Sequence, residues 1–372
     1  MKVLYGPQIF ELQIFGGISL YFSKLMNNFR LQDDIEFEFP IVYSDNRYLK
    51  DLKFLNYLSF YDKKFIFRRT FAKYFVKLNT INTIRALNKQ KFDVFHPSYF
   101  DSYHHKHLKK KPFVITVHDM TNEALSEYFI FDKNAENTIK TKNQLINNAS
   151  RIIAISENTK NDIIKFCNVK EDKIDVIYHG QPLLVPDFIP ENNTLPKKYI
   201  LFVGQRSKYK NFINFLISIS GLLKEDNDLY LLSAGGFPFN KSEKEIIKSL
   251  SLESKVLYKP IENDLRLIQF YKKAICFVFP SLYEGFGFPI LEAFQCGCPL
   301  VCSNTSSFPE IAYDAAIYFD PYDEISMKIA VQKVIYDEKL RKDLINKGFE
   351  QSNKFSWNET TEQTKKVYEK VL

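Results

Sequence analysis

Short apolar runs rich in β-branched and aromatic residues alternate with amphipathic stretches along the chain, and no other feature limits its fold so tightly. Such an alternation is the pattern of parallel strands wrapped by helices. A first series of strands is expected at Lys2–Tyr5, Phe37–Val42, Val94–His96, Val114–Val117, Arg151–Ile155 and Asp175–Ile177, with Pro40 interrupting the second. A helix follows Gly16-Gly17, from Ile18 to about Phe29. Pro and Asn then crowd the stretch from Gln181 to Lys198, which reads as a linker. A second series follows, with strands at Tyr199–Val203, Leu229–Ser233, Val256–Tyr258, Ile275–Phe279 and Leu300–Cys302. Helices are expected at Asn211–Leu223, Ser242–Leu250 and Trp357–Leu372. At 372 residues the chain is too long for one ordinary core. The expectation is α/β: two Rossmann-like, doubly wound parallel-sheet domains, residues 1–185 and 195–356, facing a central cleft. Ligands of such folds bind at the C-terminal ends of the strands.

The formal charge of +7 favours anionic partners such as phosphates or an acidic membrane face, and says nothing about fold. Three of the five cysteines, Cys296, Cys298 and Cys302, fall in one apolar stretch, which fits buried reduced thiols better than a disulfide framework. Pro299-Leu-Val between the last two reads as a strand, so metal binding there is disfavoured. No apolar run approaches the roughly 18–20 residues of a membrane span. Met1-Lys-Val-Leu-Tyr-Gly lacks the apolar core of a signal peptide, so a cytoplasmic protein is expected.

The motifs fall in loops at strand ends. In Phe279-Pro-Ser-Leu-Tyr-Glu-Gly-Phe-Gly-Phe-Pro-Ile-Leu-Glu292, an apolar strand gives way to a loop with Glu284, Gly285 and Gly287, and Pro289 suits the first turn of a helix. The glycines allow close backbone approach, the helix N-terminus favours an anion, and Glu284 and Glu292 can grip hydroxyls at two places on a polyol phosphate. A tight turn with one exposed Glu and one balancing the helix dipole accounts for the same letters. In Val203-Gly-Gln-Arg-Ser-Lys-Tyr-Lys-Asn211, Gly204 ends a strand and Arg206, Lys208 and Lys210 crowd the next helix, which suits a diphosphate or a merely solvated basic loop. Gly16-Gly17 lacks the spacing of a dinucleotide fold and argues against a nicotinamide enzyme. His118, at the end of Val114-Ile-Thr-Val-His-Asp119, could donate to a sugar hydroxyl with Asp119 setting its tautomer, or be a strand-end histidine satisfied by backbone. His104-His-Lys-His107 reads as solvated surface, and Asp226-Asn-Asp228 as a turn on the wrong side of the sheet for a metal site.

Taken in order, these motifs resemble glycosyltransferase family four, the retaining enzymes of the GT-B fold. The resemblance rests on Gly16-Gly17-Ile18, Val117-His118-Asp119, Ile152-Ile-Ala-Ile-Ser-Glu157, Val176-Ile-Tyr-His-Gly180, Leu201-Phe-Val-Gly204 with Lys210-Asn211, and Ala234-Gly-Gly236. It closes with Glu284-Gly-Phe-Gly-Phe-Pro-Ile-Leu-Glu292, Pro309-Glu310 and Phe355-Ser-Trp357. It implies a bacterial polysaccharide-type sugar transferase, such as a mannosyltransferase. A hexose would move from a nucleotide-diphosphate donor to a glycan or lipid-linked acceptor, without a metal and without nucleic acid as a partner. The equivalents of Arg206 and Lys210 hold the diphosphate, and Glu292 meets the ribose. Glu284, Phe286, Gly287 and His118 surround the donor sugar, with Gly16, Gly17, Gly204, Gly285 and Phe288 completing the donor site. Glu284, His118, Arg206 and Lys210 are the residues expected to act in catalysis, by front-face attack with the leaving phosphate taking the acceptor proton. The helix 357–372 would cross back to the first domain. Two departures are visible: Gln205 stands where relatives often have Arg, and Leu20 where close relatives often carry a basic residue. A same-fold nucleotide-sugar epimerase or hydrolase would need an acid–base set that is not seen, and an inactive sugar-nucleotide-binding scaffold would bind without turnover.

Between Lys63 and Lys91 lie nine basic residues and no acidic one. Phe67, Phe71, Tyr74, Phe75 and Leu78 recur with helical period among them, so the segment reads as a basic amphipathic helix. It could lie on an anionic membrane at the inner face, pack its aromatic stripe on the first domain's sheet with the charges solvated, or do both.

Overall fold

The structure, a computed structural model, describes residues 1–60, 68–130, 132–190, 194–206 and 208–372. The chain divides into two compact units, Met1–Gly180 with Ser356–Leu372, and Gln181–Phe355. The division thus falls at Gly180–Gln181, at the start of the Pro-rich stretch and not inside 185–195.

The first unit contains β1 (Lys2–Tyr5), β2 (Glu36–Glu38), β3 (Val94–His96), β4 (Val114–Val117), β5 (Arg151–Ala154) and β6 (Ile174–Val176). They form two parallel sheets, β2-β1-β3 and β4-β5-β6, joined by a parallel bridge between Phe95 and Phe113. The strand expected at Phe37–Val42 is reduced to Glu36–Glu38. Pro40 cannot donate to a ladder, and the N–H groups of Val42 and Tyr43 donate instead to Asn79 Oδ1 at 2.6 and 3.0 Å.

Helix Gly17–Phe29 buries Leu20, Tyr21, Phe22, Leu25, Met26 and Phe29. Helix Trp357–Glu369 packs on it in the same unit. The buried face of that last helix is unusually polar, with Thr360, Thr361, Thr364 and Tyr368 beside Val367. Its threonines return hydrogen bonds to their own helix, Thr361 Oγ1 to Trp357 O and Thr364 Oγ1 to Thr360 O, both at 2.7 Å. Tyr368 OH meets Tyr5 OH at 2.9 Å and His96 Nδ1 at 2.7 Å. His96 Nε2 meets Thr116 Oγ1 at 3.0 Å, which in turn meets Tyr21 OH at 3.1 Å. One buried network therefore fastens the last helix to β1, β3, β4 and helix Gly17–Phe29.

The second unit contains β7 (Lys198–Val203), β8 (Leu229–Ala234), β9 (Val256–Lys259), β10 (Cys276–Phe279), β11 (Leu300–Ser303) and β12 (Ala316–Phe319). They form one sheet, β12-β11-β10-β7-β8-β9, parallel throughout. The chain walks outward from β7 to β9, then returns to lay β10 on the other side of β7. That reversal is a topological switch point, where the loops leaving β7 and β10 part to opposite sides. Cys276, Cys296, Cys298 and Cys302 are buried in this unit, and burial raises every one of these thiols, Cys276 and Cys296 to about 12. No helix among the described residues is long and apolar enough to cross a membrane.

One surface assignment is overturned. His104 is fully buried against Phe95, Tyr103 and Phe113, because the short helix His105–Leu108 turns it inward.

All six histidines belong to the first unit. Burial lowers His96 and His104 to about 3 and His118 to about 4, and drives His179 well below 6.5. In the unfolded chain these imidazoles titrate near 6.5, so below that pH the unfolded state takes up protons that the folded unit refuses. Their contribution is therefore intact above about pH 6.5 and is lost as pH falls toward 4, by up to about 1.4 kcal/mol per pH unit for each histidine. Glu11, raised by burial to about 7, opposes this with the reverse slope. We expect hydrogen exchange measured from pH 7 to 5, corrected for intrinsic rates, to show the first unit opening before the second. Earlier opening of the second unit would contradict the account.

Candidate functional site

The loop after β7 begins at Gly204, whose φ of +112° favours glycine, and whose N–H donates to Ala234 O at 2.8 Å. A Cβ built there would meet no heavy atom within 4 Å, so the backbone is open to close approach. The loop after β10 ends at Gly287, φ +97°, which caps helix Phe288–Gln295 with Pro289 in its first turn. Its φ favours glycine, and a Cβ there would stand 3.1 Å from Ile290 Cδ1, so that side chain would have to give by a few tenths of an ångström. The two loops are tied together, with Leu282 N donating to Tyr209 O at 2.8 Å. Across them Lys210 Nζ donates to Glu284 Oε1, and the two side chains retain 20% and 16% exposure. The ammonium also faces the rings of Tyr209 and Phe279 at 5.2 and 5.7 Å. Two residues 74 positions apart thus meet at the switch point.

The other expected donor residues take different places. Glu292 is half-buried within helix Phe288–Gln295, and its Oε2 accepts from Tyr271 OH at 2.9 Å. Burial raises its pKa to about 7, with the tyrosine hydroxyl opposing. Phe286 is buried, its ring against Phe288 at 5.5 Å and Phe355 at 5.9 Å, so what it offers a ligand is backbone and not its ring. Gly285 is likewise buried in the loop.

Arg206 departs most from expectation. Its Nε donates to Glu243 Oε1 at 2.9 Å, Nη1 to Ser233 Oγ at 3.2 Å and Nη2 to Phe237 O. The guanidinium lies 4.7 Å from the Phe239 ring centroid, and the side chain is 4% exposed. Glu243 closes a capping box at the start of helix Lys241–Ser249 and is itself buried, so it needs a cation, and Arg206 turns inward to supply one.

In the first unit, His118 stands at the end of β4, edge-on to Tyr21 at 5.3 Å and stacked on His179 at 5.9 Å. Burial holds it neutral at pH 7, against the opposing charge of Asp119. Its Nε2 has no hydrogen-bond partner among the described residues. Asp119 does not set its tautomer. The aspartate Oδ1 accepts from Thr121 N at 3.0 Å. Burial works to raise the Asp119 carboxyl, but Lys142 and the Thr121 N–H overcome it and hold the group below its ordinary range. Gly16 and Gly17 open helix Gly17–Phe29, where Gln13 Oε1 accepts from Ser19 N at 3.3 Å and would stand 2.5 Å from a Cβ on Gly16.

Gln13, Tyr271 and the segment Thr305–Ser307 escaped sequence reasoning. Tyr271 and Thr305–Ser307 act through hydroxyls on partners distant in sequence, and Gln13 through a side-chain amide whose direction the letters do not carry.

Two family models match the chain: "Glycosyltransferase Family 4" over residues 47–183 and "Glycosyl transferases group 1" over residues 187–351. The chain is 29% identical to O-antigen chain mannosyltransferase B of Escherichia coli over 268 residues, 68% of this chain and 69% of that protein. It is 28% identical to the serotype-specific mannosyltransferase WbdA of Escherichia coli over 261 residues, 66% of this chain but only 32% of WbdA. The chain thus spans about a third of the length of WbdA. Among solved structures, Anabaena HepE in complex with UDP and glucose superimposes with a TM-score of 0.70 at 16% identity, covering 99% of both chains. That likeness establishes the GT-B fold.

Because Arg206 is enclosed with Glu243, its removal should be felt first in folding. We expect Arg206→Ala to lower the stability of the second unit by about 3 kcal/mol in urea unfolding, since a buried carboxylate is left without its cation. A variant of unchanged stability that has lost only nucleotide binding would reverse this assignment.

Proposed function

Because the chain belongs to glycosyltransferase family four, we propose that it is a retaining hexosyltransferase of surface polysaccharide synthesis. The donor is a nucleotide-diphosphate sugar, with mannose the first sugar to test, and the acceptor a glycan or lipid-linked oligosaccharide. The observation that carries this reading is the meeting of Lys210 and Glu284 at the switch point of the second unit. A diphosphate entering there is a stronger partner for Lys210 than a single carboxylate, and it has the N-terminus of helix Phe288–Gln295 and the open backbone of Gly204 beside it. Binding would then release Glu284 to accept hydrogen bonds from the sugar. Glu292, with Oε2 occupied by Tyr271, has its other oxygen for a ribose hydroxyl. In the first unit, the neutral His118 has an Nε2 suited to hydrogen-bonding a hydroxyl.

The same arrangement supports transfer without a metal. Lys210 and the helix N-terminus supply the positive potential that stabilises the departing diphosphate. With no nucleophile assigned, the acceptor hydroxyl attacks the anomeric carbon from the face the diphosphate leaves. Its proton passes to the leaving phosphate oxygen, and the configuration is retained. HepE, with its bound UDP and glucose, and the mannosyltransferases of Escherichia coli support a nucleotide-sugar donor. The test is a transfer assay over a panel of nucleotide sugars in excess chelator, read by mass spectrometry, with the product anomer read by NMR. Turnover should persist with retained configuration. Glu284→Ala should lower kcat by about 10²-fold, and Glu292→Ala should mainly weaken donor binding. Complete loss with chelator that manganese restores, or normal turnover by folded Glu284→Ala, would overturn the reading.

We further propose that the first unit works against an anionic membrane, at the inner face where lipid-linked acceptors would lie. Helix Arg68–Lys89 turns Asn79, Thr83, Ala86 and Leu87 inward. Phe71, Tyr74 and Ile81 are 48%, 60% and 42% exposed, with Lys73, Lys77, Arg85 and Lys89 also exposed. The aromatic stripe therefore divides: Phe75 lies half-buried near Tyr43 and Phe60, while Phe71 and Tyr74 face outward. Lys63, Lys64 and Phe67 lie outside the described residues. Aromatic rings among cations suit a headgroup layer, each cation adding about 1 kcal/mol near the surface. Sedimentation with phosphatidylserine vesicles should show salt-sensitive binding, lost in Lys73→Glu/Lys77→Glu and weakened in Phe71→Ser/Tyr74→Ser. Equal recovery of wild type and variants in the unbound fraction at low salt would point to an acceptor free in solution.

A further inference from the structure

We propose that Thr305-Ser306-Ser307, at the end of β11, is the positioning element that sets Glu284 for transfer. This rests on the reading of Glu284 as the residue that holds the donor sugar. Three consecutive hydroxyls engage the backbone of the loop that carries it. Ser306 Oγ accepts from Glu284 N at 3.1 Å. Ser307 Oγ, fully buried, lies 3.0 Å from both Glu284 O and Phe286 O and shares its proton between them. Thr305 Oγ1 donates to Leu282 O at 3.0 Å.

The two peptide planes flanking Glu284 are thereby fixed, and with them the direction of its Cα–Cβ bond. A carboxylate that must exchange Lys210 for a sugar hydroxyl gains from a backbone that cannot follow the exchange. The backbone of Ser306 gives an independent sign. Its φ of +52° lies in the left-handed region, disfavoured for a residue with a Cβ. Glycine would hold that turn without strain, but it would leave the Glu284 N–H without the hydroxyl it donates to. These are positioning residues: they touch the loop and act on the sugar through Glu284.

Ser306→Gly separates this role from a merely structural one, because it removes the hydroxyl and relieves the backbone at once. We expect the melting temperature to hold or rise, the Kd for nucleoside diphosphate to stay within about two-fold, and kcat to fall about 10-fold. Combined with Glu284→Ala, it should cost nothing further in kcat, since the group it positions is gone. Ser307→Ala should lower kcat in the same way, with any stability loss read separately by melting. Wild-type kcat in Ser306→Gly beside an impaired Glu284→Ala would overturn this inference alone. Normal turnover by Glu284→Ala would overturn the site reading and this inference with it.

Discussion

β7 and β10 lie side by side in parallel register, Ile200 opposite Cys276 and Leu201 opposite Phe277, although β8, β9 and their helices come between them in sequence. The functional geometry of the second unit depends on that pairing. Because both strands run the same way, their C-terminal ends emerge together, and because the strand order reverses there, the loops part and leave room for a ligand. The Lys210–Glu284 contact follows from it, as does the hydrogen bond from Leu282 to Tyr209. A sheet wound in one direction would carry the same loops to separate places.

Within this frame, two ion pairs of similar chemistry have opposite fates. Arg206 and Glu243 are 4% and 9% exposed, surrounded by Phe239, Phe212 and Tyr258. Such a pair adds little net stability over an apolar substitute, yet breaking it leaves a buried charge, so it is locked in place. Lys210 and Glu284 are more exposed, on loops that carry the open backbone of Gly204 and lead into helix Phe288–Gln295. There the partners separate at modest cost, because water can compensate both. Burial, and not residue type, separates the enclosed arginine from the more open lysine.

The first unit solves a different problem, that of burying polar groups from five elements in one core. Tyr5, Tyr21, His96, Thr116 and Tyr368 satisfy one another, so the terminal helix joins by hydrogen bonding as well as by packing. The neutral imidazoles suit this core and also leave His118 uncharged at the end of β4. A neutral imidazole can donate or accept a single hydrogen bond without adding a charge to a core that has no counter-ion for it.

Much of this was legible before folding. Short continuous apolar runs located β1, β3, β4, β7 and β8 closely, because turn residues bound them. Gly204, Gly287 and Pro289 announced their turns, since φ preferences are local properties of single residues. The pattern was silent where local signals were weak or competed. β12 is a short strand of mixed exposure, and β2 was cut short by Pro40 and by the capture of Val42 and Tyr43 by Asn79. The letters Arg206, Lys210, Glu284 and Glu292 could be written down as one donor set, but not sorted. Only the tertiary structure decided that Arg206 turns to Glu243, that Lys210 meets Glu284, that Tyr271 holds Glu292, and that three hydroxyls fix the Glu284 loop. The physical reason is range: backbone preference and hydrophobic period act over a few residues, whereas the field around a charge and the direction of a hydroxyl are set by neighbours that the chain supplies from far along its length.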